Sequence, residues 1–214
     1  MNILVFSDSH LAAHFDEKKY LFLEKIIKHS DSVIINGDFW DGYFISFKAF
    51  ISSPWRKLFA ILKSKRTVYI FGNHDRPQFS DKRLSLFSDI QTSQYRLKWN
   101  NKTLIFEHGN RLAPLIDEYI SCKTINKLLT LITMQALYRK TSNYLELEQR
   151  GNNRIHKNIK KELENNETIY ICGHTHLAQH TIADNLIISG PILEGKACYL
   201  KITETEIIMK KESY

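Results

Sequence analysis

The sequence is poor in the residues that characterise disulfide-stabilised, fibrous and membrane-spanning proteins. It has three cysteines, an odd number without a CxxC pair, which excludes a disulfide scaffold and favours buried free thiols at Cys172 and Cys198. Eight glycines and four prolines in 214 residues exclude collagen-like and low-complexity chains. No apolar run approaches the roughly 18 residues that cross a bilayer. No secretory signal follows Met1, so we expect a cytoplasmic protein.

The charge of the chain is unbalanced. Thirty Lys and Arg against 23 Asp and Glu give a net charge of +7, with a pI near 9.2. Such a surface attracts anions, and nucleic acid, phosphorylated metabolites and an acidic membrane face are all open as partners. A hydrophobic content of 43% with 25% charged residues is that of a globular domain and excludes disorder.

Apolar and amphipathic segments alternate along the chain. Helical spacing predicts helices at residues 17–30, with Asp16 as the N-cap, and at 44–64, with an interruption near Pro54. Strands are predicted at residues 2–6, 32–36, 67–71, 94–99, 103–107 and 168–172, with shorter ones within 178–211. This alternation is typical of an α/β fold in which the final hairpins add antiparallel strands.

A long segment at about residues 112–166 interrupts this alternation and exceeds a simple connection. Its amphipathic series predicts two or more helices, which could either cap a site or pack on the sheet. We therefore treat residues 1–214 as one domain with a helical, cap-like insertion at about 112–166.

Polar clusters follow the ends of five predicted strands. They are Asp8-Ser9-His10, Gly37-Asp38-Phe39-Trp40-Asp41, Gly72-Asn73-His74-Asp75, His108-Gly109 and Gly173-His174-Thr175-His176. Because ligands bind at the carboxyl ends of strands in open α/β sheets, these clusters should converge. Carboxylate, amide and imidazole without thiolate suit Mn²⁺, Fe or Zn²⁺, and a set this large suits two ions that share a carboxylate.

The clusters and their order resemble the signature of the calcineurin-like metallophosphoesterase superfamily over roughly residues 1–202. The resemblance implies a four-layer α-β-β-α sandwich and two divalent ions, most readily Mn²⁺, with Fe or Zn²⁺ as alternatives. It implies that one ion would be held by Asp8, His10, Asp38 and His176. The second ion would be held by Asp38, Asn73, His108 and His174, so that Asp38 bridges the two.

The same resemblance implies a reaction. A hydroxide shared by the two ions would attack phosphorus, while His74 protonates the leaving group or stabilises the transition state. Asp41 or Asp75 would orient His74, and Asp75 could instead cap its own loop.

Candidate substrate contacts come from two places. Trp40 and Tyr43 follow the bridging aspartate directly and would form an apolar or stacking wall, unless they belong to a core helix. Basic and amide side chains of the insertion would meet phosphate, unless they are simply solvated; they are Arg111, Arg150, Asn153 and Arg154.

The insertion and the motif spacing look like the UDP-2,3-diacylglucosamine diphosphatase branch of the superfamily. That likeness implies cleavage of the pyrophosphate of a UDP-linked acyl sugar at the inner membrane face. The chain departs from the branch at His74, where many members carry Arg, and at Asn110, where they carry Asp. Three alternatives follow: a general phosphodiesterase or phosphomonoesterase, a nuclease, and a non-catalytic metal-bound scaffold. We expect an anionic phosphoester as partner rather than nucleic acid.

Overall fold

The computed structural model describes residues 1–114, 143–162, 167–181 and 185–214. Helices are α1 (Glu17–Lys28), α2 (Phe47–Ser52), α3 (Phe59–Ser64) and α4 (Asn143–Glu162), with a 3-10 turn at Pro54–Leu58. Strands of the first half are β1 (Ile3–Phe6), β2 (Ser32–Asn36), β3 (Val68–Ile70), β4 (Ile90–Thr92), β5 (Gln94–Trp99) and β6 (Lys102–Glu107). Strands of the second half are β7 (Thr168–Cys172), β8 (Gln179–Thr181), β9 (Leu186–Ile188), β10 (Ile192–Leu193), β11 (Lys196–Ile202) and β12 (Ile207–Ser213).

The strands form two sheets. The first has the order β10-β11-β1-β2-β3-β4, with β12 paired to β11 as well; β1 to β4 run parallel and β11 runs antiparallel to β1. The second has the order β5-β6-β7-β9-β8, with a parallel centre of β6, β7 and β9. The strands predicted at 94–99 and 103–107 form the β5–β6 hairpin, which turns at Asn100 and Asn101.

Side-chain alternation divides the apolar core into three clusters. Along β1, Leu4 and Phe6 face the helical side with α1 to α3, while Ile3 and Val5 face the second sheet. A third cluster lies between the second sheet and α4. The layers are therefore helix, sheet, sheet and helix, as the resemblance implied.

Helix boundaries follow the capping residues. The Asp16 side chain accepts a hydrogen bond from the backbone of Lys19 at 3.1 Å, which confirms the predicted N-cap of α1. The predicted helix at 44–64 breaks into two pieces because Pro54 starts a new turn capped by Ser53.

The insertion packs on the sandwich as far as it is described. Ile155 and Ile159 of α4 are buried against Tyr170 and Leu186 of the second sheet. The rest of the predicted insertion, residues 115–142 and 163–166, lies outside the described residues. Cys172 and Cys198 are buried free thiols, as predicted. Within the described ranges, no helix has both the length and the apolarity to cross a membrane.

Candidate metal centre

The predicted ligands lie in loops at the carboxyl ends of β1, β2, β3, β6 and β7, so both sheets contribute to one site. Several of these residues have the left-handed backbone that L-residues rarely adopt: Asp8, His10, Asp38, His174 and His176. A residue with this backbone conformation lowers the stability of the protein, and such residues cluster at functional sites. The loops are therefore held in strained conformations by the surrounding core.

Glycines allow the loops to interlock. A Cβ on Gly72 would lie 2.1 Å from Asp38 Oδ1, and one on Gly37 would lie 2.3 Å from His108 Nδ1. Gly37 also has a φ of +87°. A side chain at either position would occupy space that the proposed ligands fill.

The first half of the site combines two imidazoles and a carboxylate. Nε2 of His10 lies 3.2 Å from Nε2 of His176, which is in turn 3.4 Å from Asp8 Oδ1. One cation placed among these atoms could accept both imidazole nitrogens and the carboxylate oxygen as ligands.

The second half is oriented by backbone carbonyls. His108 Nδ1 donates a hydrogen bond to the carbonyl of Asn36 at 3.0 Å, which directs Nε2 into the site. Nε2 lies 3.2 Å from Asp38 Oδ2 and 3.1 Å from Asn73 Oδ1. His174 Nε2 lies 2.9 Å from the carbonyl of Ala113, which orients its ring in the same way.

Two carboxylates connect the halves. Asp38 Oδ2 lies 3.8 Å from His10 Nε2 on one side and close to His108 on the other. Asp8 Oδ1 lies 3.9 Å from His108 Nε2. Three overlapping ligand groups result, each with its ligand atoms within 4.8 Å of one another: Asp8-His10-His176, His10-Asp38-His74 and Asp8-Asp38-His108. The structure thus brings the predicted ligands together, while ligation itself stays a prediction.

The electrostatics of this donor set fit a cation. Burial opposes charge on Asp8 and Asp38, but the neighbouring histidines outweigh it and hold both pKa values below their usual range. Burial likewise opposes charge on His108, yet Asp38 and Asp8 raise its pKa to about 10. Burial and His108 lower the pKa of His174 to about 3, which keeps it neutral. Buried carboxylates of this kind require positive charge, which a metal supplies.

Three imidazoles line the side of the site that reaches solvent. The ring of His10 lies 4.5 Å from that of His74 and 5.2 Å from that of His176, so His10 is the middle of a row. Their side chains are 10–18% exposed, whereas Asp8 and His108 are fully buried. Asp41 Oδ1 lies 3.1 Å from His74 Nδ1, as expected of the residue that orients this histidine.

Asp75 is committed to the backbone rather than to His74. Its two oxygens accept hydrogen bonds from the backbone N–H groups of Gly72, Asp38 and Phe39 and from the Tyr69 hydroxyl, at 2.6–3.1 Å. The prediction of Asp75 as a catalytic candidate is corrected accordingly: it fastens two loops of the site, the alternative that the sequence left open.

The aromatic wall consists of Tyr43 without Trp40. The ring of Tyr43 lies 4.5 Å from that of His74, and its hydroxyl accepts a hydrogen bond from Arg76 at 2.8 Å. Trp40 is fully buried and stacks on Phe50 in the helical side of the core. The prediction of Trp40 as a substrate contact is therefore wrong, because no part of its ring reaches the site opening.

The basic candidates of the insertion do not line the site. Arg111 pairs with Glu107 and Glu162 and so fastens α4 to β6. The other candidates lie on exposed positions of α4, opposite its buried residues, with Arg150 paired to Glu146 and Asn153 bonded to Gln149; Arg154 is exposed as well. These four are corrected from substrate contacts to helix-surface and helix-docking residues.

Residues missed by the sequence reasoning support the loops. The buried Lys19 ammonium donates to the carbonyl of Ser9, between two predicted ligands, and burial lowers its pKa to about 8. Asn152 bonds to Thr175 and to the carbonyl of Leu177. Lys19 occupied a polar position of an amphipathic helix, and Asn152 was one of several polar residues in the insertion. No local signal distinguished either.

The chain is similar to a known protein family and to several solved structures. Residues 1–191 match the family described as the calcineurin-like phosphoesterase superfamily domain. No curated protein matches the chain significantly. Wild-type Vps29 from Entamoeba histolytica, complexed with zinc, is similar at 14% identity and a TM-score of 0.48, over 100% of this chain and 98% of that one. YfcE, a phosphoesterase from E. coli, is similar at 13% identity and a TM-score of 0.47, over 100% and 99%. At these scores the two structures decide nothing about activity.

Proposed function

Because this chain belongs to the calcineurin-like phosphoesterase superfamily, we propose that it hydrolyses phosphoesters with two divalent metal ions. The observation that carries the proposal is the overlap of the ligand groups. Asp8, His10 and Asp38 each belong to two of the three groups. Shared, buried ligands of this kind suit a pair of neighbouring ions, because a single ion would leave the remaining groups unsatisfied.

The proposed ligand sets are those that the resemblance implies, with Asp38 between them. When bound, the ions would activate water and neutralise charge on the phosphate. The chain itself supplies the proton for the leaving oxygen. Asp41 accepts the Nδ1 hydrogen of His74 and stabilises the imidazolium. We therefore assign His74 Nε2 the donation of that proton, with the neighbouring ring of Tyr43 restricting its orientation.

The proposed substrate class is a phosphodiester or pyrophosphate, toward which the positive net charge of the chain steers anions. A UDP-linked acyl sugar is one member of this class. The insertion that favoured it lies largely outside the described residues, and Trp40, which was expected to form an apolar wall, is buried in the core. We therefore propose the broader class. Contact of the basic surface with an acidic membrane stays a prediction.

Hydrolysis of bis-p-nitrophenyl phosphate by the purified protein tests the proposal. Turnover is expected with Mn²⁺, and its absence with Mn²⁺, Fe²⁺ and Zn²⁺ alike would favour a metal-bound scaffold. Asp38→Asn should lose metal and activity together, whereas His74→Ala should keep both metals and lose most of the activity toward esters with alkyl leaving groups. Metal loss in His74→Ala would make this residue a ligand, as its group with His10 and Asp38 also allows.

A substrate panel then separates the members of the class. It contains a UDP-diacylglucosamine analogue, a cyclic nucleotide, a phosphoprotein peptide and single-stranded DNA. Selective hydrolysis of the first would support the acyl-sugar branch, and preference for DNA would support a nuclease.

A further inference from the structure

A cavity of about 740 Å³ lies beside the candidate metal centre and has no role in the reaction proposed above. His176 forms part of its wall, so the cavity adjoins the exposed end of the imidazole row. The remaining lining comes mainly from the β10–β11 turn and the β11–β12 hairpin, with Glu148 of α4 at one side. Space next to a reacting phosphate suits the organic part of a substrate.

Two lysines bring positive charge to this cavity. Cys198 pairs with Lys211 and Lys196 pairs with Ser213 in the antiparallel register, so these four side chains share one face of the hairpin. Lys196 is thus a diagonal neighbour of Lys211, close enough for both long side chains to reach one group. Both lysines are exposed and line the cavity. Within the described parts of the chain, neither forms an ion pair with a carboxylate.

Acidic side chains at the cavity have other partners. Glu148 and Glu194 contribute to the lining, and each is engaged in an interaction. Glu212 accepts a hydrogen bond from the Tyr199 hydroxyl at 2.8 Å, on the opposite face of the hairpin. The two lysines are therefore the charged groups best placed to meet an incoming anion.

The imidazole row determines which part of a substrate would enter. His74, at one end, is assigned to the leaving group, and His176, at the other end, borders the cavity. A substituent that stays on phosphorus during in-line displacement would therefore extend past His176 toward Lys196 and Lys211. A phosphomonoester has no such substituent and would leave the cavity to solvent.

We propose that this cavity binds a second phosphate group, carried by the retained substituent of the substrate, through Lys196 and Lys211. The inference rests on the proposed function and narrows its substrate class to phosphodiesters or pyrophosphates with a further phosphate. Ammonium groups on flexible stems suit a phosphate that must be positioned without bidentate geometry.

Two nucleotides that differ by one phosphate test the inference. They are thymidine 5′-(p-nitrophenyl phosphate) and the same compound with a 3′-phosphate, which share a leaving group. The wild-type protein should show a kcat/KM about tenfold higher for the 3′-phosphorylated compound, through KM, as hydrogen bonds to a charged group provide. The preference should fall as salt is raised.

The double variant Lys196→Met/Lys211→Met should bring the ratio of the two kcat/KM values close to one. The matched control is Lys201→Met/Lys210→Met, which removes the same charge from the same hairpin at two positions outside the cavity lining. The control should keep the wild-type ratio. Equal kcat/KM values for the two nucleotides in the wild-type protein would overturn the inference. So would a wild-type ratio in Lys196→Met/Lys211→Met, or an equal loss of the ratio in Lys201→Met/Lys210→Met.

Measurements of binding distinguish failure of this inference from failure of the proposed function. Calorimetric titration of the wild-type protein with thymidine 5′-phosphate and thymidine 3′,5′-bisphosphate, the nucleotides that remain after loss of p-nitrophenol, measures affinity without turnover of the p-nitrophenyl esters, and tighter binding of the bisphosphate is expected. If the wild-type protein hydrolyses neither nucleotide nor bis-p-nitrophenyl phosphate, the proposed function fails. The contrast in affinity and its loss in Lys196→Met/Lys211→Met would then still decide whether the cavity binds phosphate.

Discussion

The contact between Gly37 and His108 predicts a large effect from a single methyl group. A Cβ at residue 37 would lie 2.3 Å from His108 Nδ1 and 2.5 Å from Cγ. The imidazole is fully buried and tied to the carbonyl of Asn36, so it has no space into which it can turn. Gly37→Ala must therefore displace either the ring or the loop.

The size of the effect follows from two costs. The left-handed backbone of residue 37 costs an alanine about 1–2 kcal/mol, and overpacking a rigid neighbour costs about 1–3 kcal/mol. We expect the free energy of unfolding to fall by about 2–5 kcal/mol in total. Since nonbonded carbon atoms settle at about 3.5–4.0 Å, the ring must shift by roughly 1 Å relative to the loop that carries residue 37 and Asp38. Its Nε2 then leaves the positions near Asp38 and Asn73, and metal affinity should fall by about 10–100-fold.

Gly195→Ala is the matched control for this substitution. Gly195 has a φ of +76°, but the nearest atom to a Cβ placed there, the Tyr214 carbonyl oxygen, would be 3.6 Å away, an ordinary contact. This variant should show the backbone cost alone, about 1–2 kcal/mol, with unchanged Mn²⁺ affinity. Denaturant unfolding and calorimetric titration with Mn²⁺ measure the two effects. Equal destabilisation of both variants, with wild-type metal affinity in Gly37→Ala, would refute the reasoning.

Three further predictions concern the charged groups of the site. Asp41→Asn should slow hydrolysis by about 100-fold for esters with alkyl leaving groups and much less for p-nitrophenyl esters, which need no proton from His74; equal losses would remove the proton-donor role. Tyr69→Phe should lower the free energy of unfolding by about 1 kcal/mol, because Asp75 loses one donor, while metal content measured on the purified variant stays unchanged. Mn²⁺ at one hundred times its dissociation constant should stabilise the protein by about 2.7 kcal/mol for each bound ion in thermal unfolding, and Asp38→Asn should abolish this gain.

Local patterns in the sequence were sufficient for the strands other than β4, which was not predicted, and for the convergence of the site loops. The clusters around Asp8, Asp38 and His174 each follow an apolar segment, and the ends of neighbouring strands in a sandwich necessarily meet. The interruption of the helix at Pro54 was likewise predictable from the sequence, because proline interrupts helical hydrogen bonding. These predictions depended only on residues close together in the sequence or on a general rule of sheet topology.

The failed predictions depended on contacts between residues distant in sequence. Arg111 meets Glu162, 51 positions away, and nothing near Arg111 indicates that partner. Trp40 follows the loop directly, but the direction of its side chain is set by packing on Phe50. For Asp75, position alone was compatible with orienting His74 or fastening loops. Only its hydrogen bonds to the backbone of Asp38 and Phe39, in the loop after β2, distinguished these two roles.

The division of the site between the two sheets has a mechanical consequence. The first sheet carries the loops of Asp8 and Asp38, and the second carries those of His108 and His174. Metal ions held by both sets would act as a clamp across one end of the sandwich. Removal of the ions should let the sheets shear at that end first, so that hydrogen exchange rises near the site while the far end stays protected. The candidate metal centre would then also hold its own two halves in register.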